Sequence, residues 1–155
     1  MNDVSMSTLQ VCIASGQMLN MRRFKGGKTP VLMCHGLMED SRAFYGKDWQ
    51  GIARDVASQG YDVFVPDWRS RALPGERIKP GKAIGLYEWA CDDLPKIIES
   101  VKKHNPQAGF IINQGWAGVV LAAAAARNPS LIDGFKGVVY LGAKRQLLSP
   151  GVMHR

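Results

Sequence analysis

Four short, largely apolar runs recur along this chain: Pro30–Cys34, Tyr61–Val65, Ala108–Asn113 and Val138–Leu141. They do not alternate in and out, so the first three read as strands buried on both faces of a parallel sheet, with the last as a fourth strand. Parallel neighbours need crossover connections, and helix-like stretches stand between the runs. "DWQGIARDVASQG" reads as an amphipathic helix over Trp49–Gln59, with Ile52, Val56 and Ala57 inward and Gly60 as its terminator. "LYEWACDDLPKIIESVKKHN" predicts a helix kinked at Pro95, because proline removes an interior hydrogen bond. "GWAGVVLAAAAARNP" predicts a third helix, in which Ala122 to Ala126 are strong helix formers. Ahead of these units, Thr8–Ser15 and "MLNMRRF" form a hairpin around a "GQ" turn. "LPGERIKPGKAIG" is a polar surface loop. The order specifies an α/β fold with a hairpin and a mostly parallel sheet flanked by helices.

With 155 residues the chain makes one domain, burying about 70% of its unfolded surface. No apolar run reaches the ~18 residues that cross a bilayer. The start, "MNDVSMSTLQ", lacks the pattern of a signal peptide, so a cytoplasmic location is expected. Cys12, Cys34 and Cys91 are odd in number and form no CxxC pair, which argues against a zinc site or disulfide framework. Cys12 and Cys34 are expected in the core. The net charge of +7 raises the question of nucleic acid. However, Arg22, Arg23, Lys25, Lys28, Lys144, Arg145 and Arg155 are dispersed, with no aromatic stacking residues interleaved. The surplus instead suggests that the acidic residues of a larger protein or of a partner are absent. HExxH, GxxxxGK[ST] and GxGxxG patterns are absent, so no metal, phosphate loop or dinucleotide cofactor is implied.

The run "FIINQGWAGVV" carries a strand into a small-residue turn and on into a helix. Together with "VLMCHGLMEDSRAF" and "GYDVFVPDWRSRALPG" followed by "LYEWACDDLPKII", it resembles the N-terminal half of the α/β-hydrolase family over residues 8 to 145. There a Gly-x-Ser-x-Gly elbow lifts a nucleophilic serine above the sheet. By this resemblance Asn113 and Ala117 take the two glycine positions and Gly115 takes the nucleophile's. The reactive hydroxyl is gone. Glycine also adopts the positive φ of such a tip without strain.

The resemblance implies that His35 and Gly36 organise the loop after the strand rather than act as a base. It assigns the oxyanion donors to the backbone N–H of Leu37 or Met38 and of Trp116. Past Gly115 the only carboxylate is Asp133 and the only histidine His154, neither suited to complete a triad. Asp67 and Arg69 are expected to brace a loop, and His104 to cap a helix end. Cys34 would point into the core, and Ser41 and Ser70 have no His–acid pair nearby.

The implied strand order is 1-2-4-3-5-6, in a single partial domain, 1–155, that ends before the cap and the acid and histidine region. "GVVYLG" would then be an apolar edge strand, and one sheet face would be half covered. Both features invite self-association or a partner chain. The functional expectation is an inactive ester- or acyl-hydrolase relative. The alternatives are a non-catalytic binding module or one half of a split hydrolase.

Overall fold

The computed structural model describes residues 3–69 and 84–143. Six strands form one sheet in the order β1-β2-β4-β3-β5-β6. They are β1 Ser5–Cys12, β2 Met18–Lys25, β3 Thr29–Cys34, β4 Tyr61–Pro66, β5 Gly109–Gln114 and β6 Phe135–Leu141. β1 and β2 pair antiparallel, as do β2 and β4. β3 pairs parallel with both β4 and β5, and β5 with β6. The expected α/β architecture and strand order are therefore present.

β1 begins and ends about three residues earlier than expected. The chain turns at Ile13, whose N–H donates to Gln17 O at 3.0 Å. Val11 and Ile13 face inward, and the alternation turns Cys12 out. Cys12 is exposed, which corrects its expected place in the core, whereas Cys34 is buried.

Helix α1, Ile52–Ser58, lies on one face of the sheet over Phe24, Val31, Met33, Val63 and Val65. It is shorter than expected because Ala53 N–H donates to Phe44 O at 2.9 Å, anchoring its first turn to the preceding loop. Ala53 and Ala57, four residues apart, form the buried stripe. Ile52, expected inward, is 48% exposed. Gly60 ends this unit at φ +95°, a conformation that favours glycine.

The opposite face carries the helical turn α2, Leu86–Glu88, a π turn over Trp89–Asp93, and helices α3, Leu94–His104, and α4, Trp116–Arg127. In the π turn, Leu94 N–H donates to Trp89 O. Pro95 follows at once and could not have supplied a regular helical bond there, so the expected kink takes the form of a local change of register. Leu94, Ile97, Ile98 and Val101 of α3 pack with Val120, Leu121 and Ala124 of α4 over Leu32, Phe64 and Ile111. Each such buried side chain contributes about 1.5–3 kcal/mol of hydrophobic stabilisation. β6 lies at the sheet edge, with Val139, Tyr140 and Leu141 between 41% and 51% exposed. No described helix is long and apolar enough to cross a membrane.

Candidate functional site

β3 and β5 are adjacent and parallel, with Cys34 opposite Asn113, so the loops leaving both strands emerge together at one end of the sheet. In such sheets this is where ligands and reacting groups gather. β5 passes through Gly115 directly into α4. Gly115 adopts φ +53° and ψ −118°, and its N–H donates to Leu141 O at 2.9 Å. Gly118 N–H donates to Gly115 O at 3.2 Å, closing the turn. Together they form a sharp bend with its tip clear of the sheet.

A Cβ built on Gly115 would meet nothing nearer than Gly36 Cα at 4.0 Å. The tip thus has room for a side chain, and only its backbone conformation disfavours one. At Gly118 the reverse holds: a Cβ there would lie 2.5 Å from Ala143 Cβ and 2.8 Å from Tyr140 Cδ1. Small residues on the first turn of α4 let β6 and the following chain pack close.

The loop after β3 faces this tip. His35 is 4% exposed and its Nδ1 donates to Gly36 O at 2.9 Å. A carbonyl oxygen only accepts, so the proton sits on Nδ1 and Nε2 is left bare. Nε2 has no hydrogen-bond partner and stands 3.9 Å from Asp67 Oδ1. Burial lowers the pKa of His35, opposed by its backbone bond to Gly36 and by Asp67, Asp40 and Glu39. Its one bonded nitrogen is thus tied to the backbone of the next residue of the loop. Leu37 is 38% and Met38 92% exposed. Trp116 is the first residue of α4.

Asp67 Oδ1 accepts from Ser41 N–H at 3.0 Å, so it braces the loop as expected. Ser41 is buried and its hydroxyl meets Tyr45 OH at 2.8 Å. Arg69 binds Asp93 through Nε and Nη2 and also pairs with Asp92. Burial lowers the Arg69 pKa, but its bonds to Asp93 and Asp92 outweigh burial and leave it raised. Cys34 is fully buried, and burial pushes its thiol up to about 12, so it is no thiolate nucleophile at neutral pH.

The remaining sequence candidates lie elsewhere. His104 Nδ1 donates to Ser100 O at 2.8 Å, in the last turn of α3. The next residue, Asn105, bonds Lys28 O ahead of β3, so His104 lies at the opposite end of the sheet from the bend. Asp133 is exposed in the turn before β6, also at that far end. Ser70, His154, Lys144, Arg145 and Arg155 fall outside the described residues. Among the described residues, no group of three metal-ligating side chains is placed to hold an ion.

Two features were not anticipated from the sequence. Glu39 accepts from Gly36 N–H at 3.3 Å and from Gln114 Nε2 at 3.0 Å, so one carboxylate ties the loop to the residue before the tip. Asn113 is fully buried and neither its Oδ1 nor its Nδ2 has a partner. Its only sequence signal was an amide closing the apolar run "FIIN".

Similar proteins share this frame. Among curated proteins none matches the chain. The brefeldin A esterase, a bacterial homologue of human hormone-sensitive lipase, superposes with a TM-score of 0.62 at 19% identity, over 89% of this chain and 39% of that one. Esterase RhEst1 from Rhodococcus sp. ECU1013 gives 0.63 at 18% identity, over 88% and 46%. Epoxide hydrolase VrEH1 from Vigna radiata gives 0.59 at 20% identity, over 96% and 43%. These likenesses concern the fold, and the chain spans less than half the length of each of these structures. The family profile of the alpha/beta hydrolase fold matches residues 29–150. With the strand order, the bend after β5 and the facing His-Gly loop, that match places the chain in the α/β-hydrolase family.

Proposed function

We propose that this chain is a hydrolytically silent member of its family, from a lineage that cleaved esters or related acyl substrates, and that it resides in the cytoplasm. The observation that carries the reading is Gly115 itself. It stands at the tip of an elbow, in the strained φ/ψ region such tips adopt, with open space where an oxygen would project. A covalent acyl mechanism needs a nucleophile there and a base beside it. Cys34, at the end of β3, is buried and protonated and supplies no such nucleophile. The N–H groups of Leu37 or Met38 and of Trp116 would remain as donors for a carbonyl oxygen, a cradle without an attacking group. The esterase names of two of the similar structures support the acyl lineage.

The test is hydrolysis of p-nitrophenyl acetate and butyrate by the purified chain. Release at the rate of the buffer blank is expected. Turnover abolished by one substitution in the chain would overturn the reading.

A second reading, one half of a hydrolase completed by another polypeptide, is favoured by the exposed apolar edge β6. It predicts that the chain, passed over a sizing column with light scattering, elutes larger than a monomer or exchanges into a complex with a downstream half. A clean monomer that captures no such half would set this reading aside.

A further inference from the structure

Lysines that are scattered along the sequence are gathered by the fold. β2 runs antiparallel to β4 with Lys25 opposite Asp62, so Lys25 lies at the end of the sheet away from the bend. Lys28 leads into β3 at the same end. Asn105 Nδ2 donates to Lys28 O at 2.9 Å, which brings the last turn of α3, with Lys102 and Lys103, alongside. Lys102 Nζ donates to Leu131 O at 3.4 Å, and Lys136 is the second residue of β6. All of these lysines are exposed. From β2 to β6 the sheet crosses four strand spacings, so the patch is about 20 Å wide.

Little at this end opposes them. Asp62 is buried and paired with Arg23 at 2.7 Å, which leaves Asp3, ahead of β1, and Asp133 as the exposed carboxylates. Among the described residues none of these lysines forms an ion pair. Midway along the molecule Arg54 offsets Asp55 on α1, and Lys96 pairs with Glu99 on α3. The bend end has the opposite balance. In the loops after β3 and β4, Glu39, Asp40, Asp48 and Asp67 outnumber Arg42 and Lys47, and Arg69 faces both Asp92 and Asp93. Cations in a last helical turn offset the partial negative charge there, which accounts for Lys102 and Lys103. Lys25, Lys28 and Lys136 stand on a turn and a strand, where no helix end calls for them.

The make-up of the patch selects among anionic partners. Protein interfaces are anchored by aromatic and arginine side chains and are depleted in lysine. The exposed tyrosines, Tyr87 and Tyr140, lie ahead of α3 and toward the bend end of β6. Nucleic-acid phosphates favour the forked guanidinium, but Arg23 is bound to Asp62 and Arg127 lies over the Tyr87 ring. What remains are hydrated ammonium charges on flexible stems, which need no fixed geometry. A fluid array of anionic lipid headgroups offers none.

We propose that this end of the sheet docks on an anionic bilayer surface, with Lys25, Lys28, Lys102, Lys103 and Lys136 toward the headgroups and the bend turned outward. The adsorption is peripheral and sends no segment into the hydrocarbon. It involves no residue of the elbow, so its failure leaves the account of Gly115 untouched.

The experiment is co-sedimentation of the full chain with phosphatidylcholine vesicles containing about 30% phosphatidylserine, at about 50 mM and about 500 mM salt. Binding is expected at the lower salt only, with none to phosphatidylcholine alone. Each lysine near such a surface contributes about fivefold in affinity. Lys102→Glu with Lys103→Glu should therefore weaken binding about tenfold or more, and so should Lys25→Glu with Lys28→Glu, which leaves α3 intact. Lys47→Glu, in the loop at the bend end, should change it by less than about threefold. No binding at the lower salt, equal binding to neutral vesicles, or a loss from Lys47→Glu as large as from the double variants would each overturn the proposal. Capture on poly-glutamate or duplex DNA in place of the vesicles would likewise overturn it, assigning the patch to an acidic protein or a nucleic acid.

Discussion

Gln114 donates its side-chain N–H to Glu39 Oε1 at 3.0 Å, and through that carboxylate the last residue of β5 is joined to the loop after β3. The other oxygen of Glu39 accepts from Gly36 N–H. The two halves of the would-be active site are thus fastened by an exposed acidic side chain rather than by the core. Exposed bonds of this type contribute little, so Glu39→Ala should lower unfolding stability by less than about 1 kcal/mol. Its effect should be local, with faster amide exchange at Gly36 in hydrogen-exchange measurements. A loss of several kcal/mol in denaturant melts would mean that the clasp holds more than the loop.

At the tip, open space and a left-handed backbone make opposite demands on a substitution. Gly115→Ala meets no steric obstacle, so its cost is conformational alone, about 1–3 kcal/mol. Gly118→Ala should cost at least as much for a different reason, since its Cβ would collide with Ala143 and Tyr140. Chemical denaturation of both variants checks this. A neutral Gly115→Ala would show that the bend relaxes in solution.

Asn113 gives a prediction of the opposite sign. Its amide is fully buried beside Ile111 on the same face of β5, without a hydrogen bond. Asn113→Leu removes an unmatched polar group at similar volume and should raise stability by about 1–2 kcal/mol. A denaturant midpoint that moves downward would mean the amide is satisfied by a bound water whose loss outweighs the gain.

Arg69 is where a single change should be most damaging. Asp93 is fully buried and its guanidinium partner nearly so. Arg69→Met leaves that carboxylate unpaired and should cost about 3–5 kcal/mol at neutral pH. Burial raises the Asp93 pKa above its ordinary value, and the bonds from Arg69 restrain the rise. Without Arg69 the rise grows. A carboxyl whose folded pKa exceeds its unfolded one favours the folded state at low pH, an advantage lost as pH climbs through the folded pKa. The deficit of the variant relative to the parent should therefore shrink from pH 7 toward pH 4. A deficit independent of pH over that window would place the damage elsewhere.

Much of this molecule was legible from periodicity alone. The runs at Val31–Cys34, Val63–Val65 and Ile111–Ile112 are apolar because both sheet faces are covered, and they became β3, β4 and β5. Glycine at the tip was equally plain, since "NQGWAG" follows one of those runs directly. What could not be read depends on tertiary neighbours. Ile52 turned outward because the anchor at Phe44 O set where α1 begins. Cys12 turned outward because the hairpin register placed Val11 inside. The pairing of Arg69 with Asp92 and Asp93 joins residues more than twenty positions apart across the π turn, and no local pattern announces it.

The central claim is that the elbow of this α/β-hydrolase chain offers no activated nucleophile. Incubation with a serine-directed fluorophosphonate, read by intact-protein mass spectrometry, tests it most directly. The account predicts a mass unchanged from the untreated chain. A stoichiometric adduct that disappears on mutating one hydroxyl or thiol side chain would contradict it.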